Sequence, residues 1–467
     1  MINNLKHSRN YLIGNVGIKA LGFISIPFFT HYLSVEEFGI MSLYLTVLSF
    51  LVTLLSIGIL GSFKRYYFEL NNDFGAFLYS NIIMLFIIDM ILIVIYFYFI
   101  TDLSIFLKIP INILSYSIFI ALFYLFIKIH LDILQINQES GKNVIIEAYR
   151  AFFSLFFSII FIVLLSEESF LGKIYADLLV SIILASYSLF YLFKIMKYHF
   201  KLSYLKYSLL FGLPALPSMF SSFGLSFADR LMINSFTNTQ DVGLYSFASM
   251  VAVLVQVVIS AMSKSWQPLF YKALNNKNNS ILNKTFLINT KIVLIASLFV
   301  IFFSYEFIVI LANKDYLPAT NIIMYLIIGF NFFYLYTIYG QYTSYVKKTY
   351  YDSIFTIITV LINIGLNYIY IPIYGYVVSA ITTVISYAIM FLLFYLNAKY
   401  VLKFEVIKLS LVQNIHILYI ICIVFYLSIM NYELDYIYEL MSKCFILILF
   451  IITSFFTNLK QLIKSRY

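Results

Sequence analysis

Long uninterrupted runs of apolar residues alternate along the chain with short polar connectors. The run at residues 80–100, SNIIMLFIIDMILIVIYFYFI, is typical, because its apolar residues cover all sides of a helix rather than one stripe. A helix of about 20 such residues spans the hydrocarbon core of a bilayer, whereas the strands of a membrane barrel alternate apolar and polar residues. The pattern therefore predicts an all-α polytopic membrane protein.

About fourteen transmembrane helices are expected from these runs. The predicted helix centres lie near Leu21, Leu51, Met90, Phe123, Phe157, Leu184, Phe220, Val251, Leu298, Phe330, Leu361, Ile385, Ile421 and Phe450. The connectors are too short to hold a separate folded domain, and the sequence contains no G-x-x-x-x-G-K-[ST] phosphate loop. We therefore expect a membrane transporter rather than an enzyme, without an ATP site of its own.

Composition and charge agree with this interpretation. Of 467 residues, 63% are hydrophobic and 11% are charged, and 30 Lys and Arg against 21 Asp and Glu give a net charge of +9. Most of the basic residues fall in alternate connectors, while only Lys108, Lys173 and Lys314 fall in the connectors of the opposite side. Because cytoplasmic connectors are enriched in Lys and Arg, both termini are predicted in the cytoplasm, and no nucleic-acid partner is expected.

A short internal repeat relates two parts of the chain. Residues 35–44, VEEFGIMSLY, match residues 239–248, TQDVGLYSFA, in an acidic residue, a glycine and a serine at the same spacing. The copies precede predicted helices two and eight, which suggests two six-helix lobes around a central cavity. The expected N-terminal lobe is residues 1–200 and the C-terminal lobe is residues 201–400. Residues 401–467 add two C-terminal helices and a cytoplasmic tail.

Ionisable side chains within predicted helices are an informative functional signal, because each disfavours insertion by about 2.5–3.5 kcal/mol. Lys19 stands in the middle of helix one without an acidic neighbour in sequence, which favours a place in a water-filled cavity. Lys128 and Asp132 are spaced to pair on one helix face, so a structural and a functional role are both open. Asp229 and Arg230 project about 100° apart, so one can face a cavity while the other anchors a neighbouring helix.

Acidic residues within helices are candidates for coupling transport to an H⁺ or Na⁺ gradient. These residues are Asp89, Asp132, Asp177 and Asp229. Each can equally neutralise a neighbouring base. Glu147, Arg150 and Lys291 lie closer to the cytoplasmic helix ends, where we expect them to snorkel toward water. The two cysteines lie in apolar runs without metal-ligand spacing, so no metal or other cofactor is predicted.

Three segments carry a family resemblance. They are the N-terminal RNYLIGNVGIKALGFISIPFFTHYLSVEEFGIMSLYLTVLSFLVTLLSIGILGSFKRYYFE, the mid-chain SFADRLMINSFTNTQDVGLYSFASMV and the later IPIYGYVVSAITTVISY. Together they resemble the polysaccharide biosynthesis and O-antigen flippase family. This family is part of the MATE-like multidrug/oligosaccharidyl-lipid/polysaccharide exporter superfamily. The resemblance extends over predicted helices one to twelve.

The resemblance implies a flippase of the bacterial inner membrane. Its substrate would be a repeat unit of O-antigen, capsule or exopolysaccharide linked to undecaprenyl diphosphate, with membrane lipids and the polysaccharide polymerase machinery as partners. The lobes would alternate access to a cavity whose cations attract the diphosphate. By position, the resemblance assigns Lys19, Arg65 and Arg230 to this cavity, although Arg65 can equally be an ordinary connector charge. The second lobe lacks the counterpart of Arg65 and offers Lys264 nearby.

Three other functions are open at this point. A multidrug/cation antiporter of the same superfamily has the same architecture, but a basic cavity repels organic cations. A polymerase or a membrane glycosyltransferase needs a large external loop or a cytosolic domain, for which the connectors leave no room. A non-transporting scaffold does not explain an unpaired charge in the middle of a membrane helix.

Overall fold

The computed structural model describes residues 2–69, 73–165, 167–276, 278–348, 350–430 and 435–464. Within these ranges it describes all side chains except those of residues 2–13, 15, 16, 19, 430 and 456–464. The described residues are helical apart from short connectors and include no strand.

The first half of the chain forms helices α1 to α10. Their bounds are α1 Ile2–Tyr32, α2 Val35–Leu55, α3 Leu60–Glu69, α4 Phe74–Tyr98, α5 Ile100–Leu107, α6 Ile111–Ile136, α7 Ser140–Leu164, α8 Leu171–Ile195, α9 Leu202–Gly212 and α10 Leu216–Phe236. The second half forms α11 to α18. Their bounds are α11 Thr239–Asn275, α12 Asn279–Phe302, α13 Ser304–Leu311, α14 Thr320–Tyr345, α15 Tyr350–Tyr374, α16 Val377–Leu396, α17 Ser410–Met430 and α18 Tyr436–Lys464.

Thirteen helical segments of the described residues are long and apolar enough to cross a membrane, by length and composition. Each coincides with one predicted span, and α9 with α10 together form the predicted seventh span. The remaining predicted span, the first, falls on α1. The sequence-based prediction of an all-α polytopic membrane protein with about fourteen spans is confirmed.

The connector between α1 and α2 ends in a capping box. The Ser34 hydroxyl accepts a hydrogen bond from the backbone N–H of Glu37 at 3.2 Å, and the Glu37 carboxylate accepts one from the backbone N–H of Ser34 at 3.0 Å. This arrangement satisfies two donors that a helix start otherwise leaves without partners. The same carboxylate accepts a hydrogen bond from the backbone N–H of Ser169 at 3.1 Å. The start of α2 is thereby fixed to the connector before α8.

The chain is interrupted at two helix junctions that contact each other. Between α2 and α3 the chain turns through Ile57 and Gly58, whose φ angles of 46° and 68° lie in the left-handed region. Between α9 and α10 a short 3-10 segment follows Gly212 and contains Pro214, which has no N–H to donate. A Cβ atom on Gly58 would lie 2.5 Å from the carbonyl oxygen of Gly212. Glycine at residue 58 therefore permits both the turn and the close approach.

The two copies of the internal repeat contact each other. A Cβ atom on Gly39 would collide with the carbonyl oxygen of Thr239, and one on Gly243 would collide with that of Val35. Three residues further along each copy, the hydroxyl oxygens of Ser42 and Ser246 lie 2.6 Å apart. The glycine and serine shared by the copies thus form one reciprocal contact between the first turns of α2 and α11.

The chain divides into two compact units. The first comprises Met1–Ser246, Leu311–Asn313 and Asn367–Tyr376. Within it α7 packs along α8, α8 along α6, and α6 along α2. The second comprises Phe247–Ile310, Lys314–Leu366 and Val377–Tyr467, and in it α14 packs along α16 while α17 and α18 pack on α12.

Candidate functional site

A cavity of about 560 Å³ lies within the first unit, between α1, α2, α6, α7 and α8. It is called the cationic cavity here, because three of its lining side chains are basic and one is acidic. These are Lys128 on α6, Arg150 on α7, and Lys173 and Asp177 on α8. Apolar and hydroxyl side chains of α1 and α2 complete the wall. The lining alone therefore has an excess of positive charge.

Lys173 and Asp177 form one hydrogen-bonded wall of the cationic cavity. The Lys173 ammonium lies 2.9 Å from the Asp177 carboxylate, one helical turn away, and 2.6 Å from the Ser154 hydroxyl. Asp177 also accepts hydrogen bonds from Ser154 at 2.6 Å and from Tyr44 at 3.0 Å. Three donors thus surround this buried carboxylate, and the ion pair with it fixes the position of Lys173.

Arg150 and Lys128 supply the remaining positive charge. Arg150 stacks over the Tyr124 ring at 5.3 Å, and its nearest carboxylate, that of Glu147, lies 3.7 Å away at the edge of a smaller adjoining cavity. Lys128 lines both cavities and, among the described residues, its ammonium has no carboxylate within ion-pair distance. An anion entering the cavity therefore meets one loosely paired and one unpaired cation.

The depth of these cations is set by the helices that carry them. Arg150 lies about 15 Å along α7 from its first residue, and Lys128 lies about 12 Å from the end of α6, at 1.5 Å per residue. The hydrocarbon core of a bilayer is about 30 Å thick, and α6 and α7 are both longer than that. A core centred on each helix therefore includes both side chains, with Arg150 deeper than Lys128. Cations at this depth are stabilised by water or by an anionic ligand.

A further cavity of about 370 Å³ adjoins the cationic cavity at Ser49 and Thr53 of α2. Its other side is formed by α10, with Ser218, Ser222 and the rings of Phe223 and Phe227 among the lining residues. Hydroxyl groups and aromatic faces are common contacts for sugars, whereas phosphate groups favour cations. The two adjoining cavities thus offer two chemically different surfaces.

Two of the predicted site residues lie together in the cationic cavity, namely Lys128 and Asp177. The predicted pairing of Lys128 with Asp132 does not occur, because Asp132 lies 2.8 Å from Lys64 on α3. Arg65, the neighbour of Lys64, is exposed and pairs with Glu69 at 2.8 Å. The hydrogen bond from Arg65 to Glu69 raises the pKa of the guanidinium, so Arg65 stays charged.

Asp229 and Arg230 form separate contacts on α10. Asp229 is buried and accepts hydrogen bonds from Tyr245 at 2.5 Å and Asn367 at 2.7 Å. Arg230 donates to the hydroxyl of Ser246 at 3.1 Å, beside the contact between the two repeats. Arg230 is not among the residues that line the cationic cavity.

The other predicted residues lie elsewhere in the chain. Asp89 on α4 is fully buried, and among the described residues neither of its carboxylate oxygens has a hydrogen-bond partner. Lys264 on α11 is exposed and belongs to the second unit. The side chain of Lys19 lies outside the described residues, although Ile18 and Leu21 on either side of it line the cationic cavity.

Sequence reasoning missed two of the cavity cations. Arg150 was expected to snorkel to the cytoplasmic end of its helix, and Lys173 was assigned to a connector. The signal for Lys173 was present, because Lys173 and Asp177 are four residues apart, the same spacing that drew attention to Lys128 and Asp132. For Arg150 the sequence shows Glu147 three residues before it. That spacing does not indicate a place in a cavity, which depends on how α7 packs along α8 and α1.

No group of three or more His, Cys, Asp or Glu side chains in the described part of the chain is placed to hold a metal ion. The ammonium, guanidinium and hydroxyl groups that line the cationic cavity are suited to binding an anion.

The fold defines the class of protein. A solved structure titled lipid II flippase MurJ, in an inward closed conformation, matches with a TM-score of 0.77 over 97% of this chain and 99% of that chain, at 19% identity. An inward-facing multidrug resistance MATE family transporter of the MOP superfamily matches with a TM-score of 0.67 over 82% of this chain and 94% of that chain, at 16% identity. The chain therefore has the fold of the MOP superfamily.

The chain belongs to the polysaccharide biosynthesis protein family, whose model matches residues 5–274, more than half of its length. A MatE model also matches residues 214–369. The Lsg locus putative protein 1 of Haemophilus influenzae is 26% identical over 286 residues, which are 58% of this chain and 67% of that relative. The resemblance inferred from the sequence is thus confirmed for the superfamily and for its polysaccharide branch.

Proposed function

We propose that this chain is a flippase, not an enzyme, and that it translocates a lipid-linked oligosaccharide across the bacterial inner membrane. The carrier lipid is undecaprenyl diphosphate, and the oligosaccharide is a repeat unit of O-antigen, capsule or exopolysaccharide. Membership of the polysaccharide biosynthesis family supports this class of substrate. This chain shares its fold with a structure titled lipid II flippase MurJ, which supports translocation of a lipid-linked substrate as the type of transport.

One observation carries the proposal. Lys128 and Arg150 together line the cationic cavity, and Lys128 has no carboxylate partner among the described residues. A diphosphate that crosses the bilayer must exchange its hydration shell for protein contacts. Guanidinium and ammonium groups form charge-assisted hydrogen bonds to phosphate oxygens. We assign these two side chains to the diphosphate and the hydroxyl-lined cavity beside them to the sugars.

The proposal includes an architecture and a direction. Residues 1–200 and 201–400 form two lobes that alternate access to the substrate, residues 401–467 add two helices, and both termini are cytoplasmic, in agreement with the distribution of Lys and Arg. An H⁺ or Na⁺ gradient resets the cycle, and the polysaccharide polymerase machinery receives the product. Asp89 is our candidate for the coupling residue, because it is a fully buried carboxyl group.

A multidrug/cation antiporter is the second candidate, and the MatE match to residues 214–369 favours it. The cationic cavity argues against it, because Asp177, the one carboxylate among the described residues of its lining, is already satisfied by Lys173, Ser154 and Tyr44. An organic cation would find the like charges of Lys128 and Arg150, and the Asp177 carboxylate is already paired.

The test is deletion of the gene in its host and rescue by the wild type, Lys128→Ala or Lys142→Ala. Surface polysaccharide and lipid-linked repeat units in the inner leaflet are measured. Lys142 is the matched control, since it is exposed and pairs with Glu139 at 2.7 Å. We expect the deletion to abolish surface polysaccharide, and only Lys128→Ala to fail in rescue at normal membrane levels. Unchanged polysaccharide with greater sensitivity to cationic drugs would replace the flippase by the antiporter.

A further inference from the structure

A cavity of about 460 Å³ opens on the surface of the first unit, between the last turns of α1 and the middle of α7. We call it the α1–α7 groove. Its apolar lining consists of Ile24, Pro27, Phe28, Leu155 and Ile159, with Tyr32 at one end. Ile24 is 65% exposed and Tyr32 is 50% exposed, so the groove is open to the surroundings of the helix bundle. An open apolar surface of this kind is suited to contact with a lipid chain.

The α1–α7 groove adjoins the cationic cavity. Ser25 on α1 and Leu155 on α7 line both spaces. The Ser25 hydroxyl donates to the carbonyl oxygen of Gly22 at 2.7 Å, which leaves no donor unsatisfied at the junction. A Cβ atom on Gly22 would meet nothing within 4 Å, so there is space beside the junction on the cavity side.

Helix α7 lines the cationic cavity with one part of its length and the apolar α1–α7 groove with the next part. On α7, Arg150 and Ser154 face the cationic cavity, Leu155 lines both spaces, and Ile159 lines the groove only. Successive turns of a helix place residues four apart on the same side. A molecule that follows α7 from Arg150 to Ile159 thus passes from a cationic to an apolar surface without leaving the protein.

The cationic cavity and the apolar groove together fit an amphiphile. Its anionic group would lie in the cavity, within the membrane, and its apolar chain in the groove. A bulk phospholipid keeps its phosphate in the headgroup region, outside the hydrocarbon core of about 30 Å. Arg150 lies about 15 Å along α7, well inside that core. An oligosaccharide without a lipid is too polar to be stabilised by an apolar groove. A lipid whose diphosphate is drawn inward to Arg150 needs room for its chain directly beside the cavity.

We propose that the α1–α7 groove binds the polyisoprenyl chain of the lipid whose diphosphate occupies the cationic cavity. This inference rests on the proposed function, because it takes the anionic ligand of that cavity to be a lipid diphosphate. It assigns the chain a defined place on the protein, along α1 and α7, during the step in which the headgroup is bound.

The experiment compares two probes on the full chain in lipid nanodiscs. Inorganic pyrophosphate reports on the cationic cavity alone, and farnesyl diphosphate adds a short polyisoprenyl chain. We expect farnesyl diphosphate to bind at least about tenfold more tightly to the wild type, since burial of a few methylene groups suffices for that difference. Ile159→Trp, which fills the groove, should abolish this advantage and leave pyrophosphate binding unchanged.

Ile183→Trp is the matched control, because Ile183 on α8 is 55% exposed and lines neither space. It should retain the full advantage of farnesyl diphosphate. A photoreactive farnesyl diphosphate should label the α7 segment around Ile159 in the wild type, which tests the groove without any substitution. Equal labelling of that segment by photoreactive farnesol would overturn the inference, since the groove would then accept any apolar chain.

Failure of the inference is distinguishable from failure of the proposed function. If Ile159→Trp keeps the advantage of farnesyl diphosphate while Lys128→Ala weakens both probes, the headgroup site stands and the groove assignment is wrong. If neither probe binds the wild type, the cationic cavity is not a diphosphate site, and the proposed function is overturned together with the inference.

Discussion

Two buried clusters of Lys and carboxylate, one in each unit, have similar chemistry and different surroundings. In the first unit Lys173 lies 2.9 Å from Asp177 at the wall of the cationic cavity. In the second, Lys443 on α18 lies 2.8 Å from Glu306 on α13 and 2.6 Å from Glu439. The Lys443 side chain is only 1% exposed, against 13% for Lys173.

The difference lies in what borders each cluster. Lys173 and Asp177 neutralise each other beside a cavity that also contains Lys128 and Arg150, so a ligand can use the remaining positive charge. Lys443 joins α18 to α13 with its charge enclosed by two glutamates. An ionisable residue within a membrane helix is therefore a transport candidate only where it adjoins space for a ligand. The enclosed cluster is a tether for the C-terminal helices.

The largest effect is expected from Lys443→Met, which tests the tether. Removal of the buried cation leaves two partly buried glutamates without their partner, and breaking a buried ion pair costs about 3–5 kcal/mol of unfolding free energy. Thermal denaturation of the purified protein should show a clear decrease in the midpoint. Adding Glu306→Gln and Glu439→Gln to the same variant should recover most of the loss. A wild-type midpoint for Lys443→Met alone would refute the tether.

A smaller effect, confined to binding, is expected from Arg150→Ala. Loss of one hydrogen bond to a charged group weakens binding by about 1.5–3 kcal/mol, roughly tenfold to a hundredfold for pyrophosphate. Calorimetric titration in nanodiscs measures this change, and Arg150→Lys should retain part of the affinity because it keeps the charge. A decrease in thermal midpoint as large as that of Lys443→Met, with unchanged affinity, would make Arg150 a structural residue instead.

Asp177→Asn should change affinity in the opposite direction. The substitution removes the negative charge of Asp177 from the cavity lining and frees Lys173 to meet the ligand. One charge at contact distance in a hydrated cavity is worth about 1 kcal/mol, or roughly a fivefold gain in pyrophosphate affinity. The same titration checks it. Weaker binding would mean that Lys173 needs Asp177 to hold it in position, which makes Asp177 a positioning residue.

The smallest effect is expected from Arg65→Ala, which the family resemblance placed in the cavity. Its side chain is 52% exposed and its partner, Glu69, lies on the same short helix. Exposed ion pairs of this kind contribute little to stability. Pyrophosphate affinity and thermal midpoint should both stay at wild-type values. A loss of affinity comparable to that of Arg150→Ala would bring the α3 helix into the binding site.

The fold could be predicted well from the sequence, because each membrane helix is recognisable from its own run of apolar residues. Twenty apolar residues in succession leave one structural solution in a bilayer, since every backbone polar group must be satisfied within the helix. The break between α9 and α10 also has a local cause, because Pro214 and Pro217 stand in one apolar run. The break between α2 and α3 has no such local cause, because it depends on the approach of Gly58 to Gly212, which are far apart in sequence.

The candidate site was harder to predict, because it depends on which helix faces meet. Lys128 and Asp132 are one turn apart on α6, yet Asp132 pairs with Lys64 on another helix and Lys128 lines a cavity. Arg150 looked like an interfacial residue until the packing of α7 placed it against Tyr124. A hydropathy pattern identifies membrane helices but does not specify how each is rotated about its own axis when nearly all its faces are apolar.

The contact between Gly39 and Gly243 has a consequence for the origin of the chain. Each glycine accommodates the backbone of the other copy, and Ser42 meets Ser246 beside them, so the same residues serve on both sides. Self-complementary contacts of this form are the isologous interfaces of twofold-symmetric homodimers. The arrangement is the one expected if a half-length ancestor paired with a second copy of itself before gene duplication joined the two. In such an ancestor one glycine codon would have encoded both sides of the contact. In this chain Gly39 and Gly243 are encoded separately, so both codons must be preserved to keep the contact.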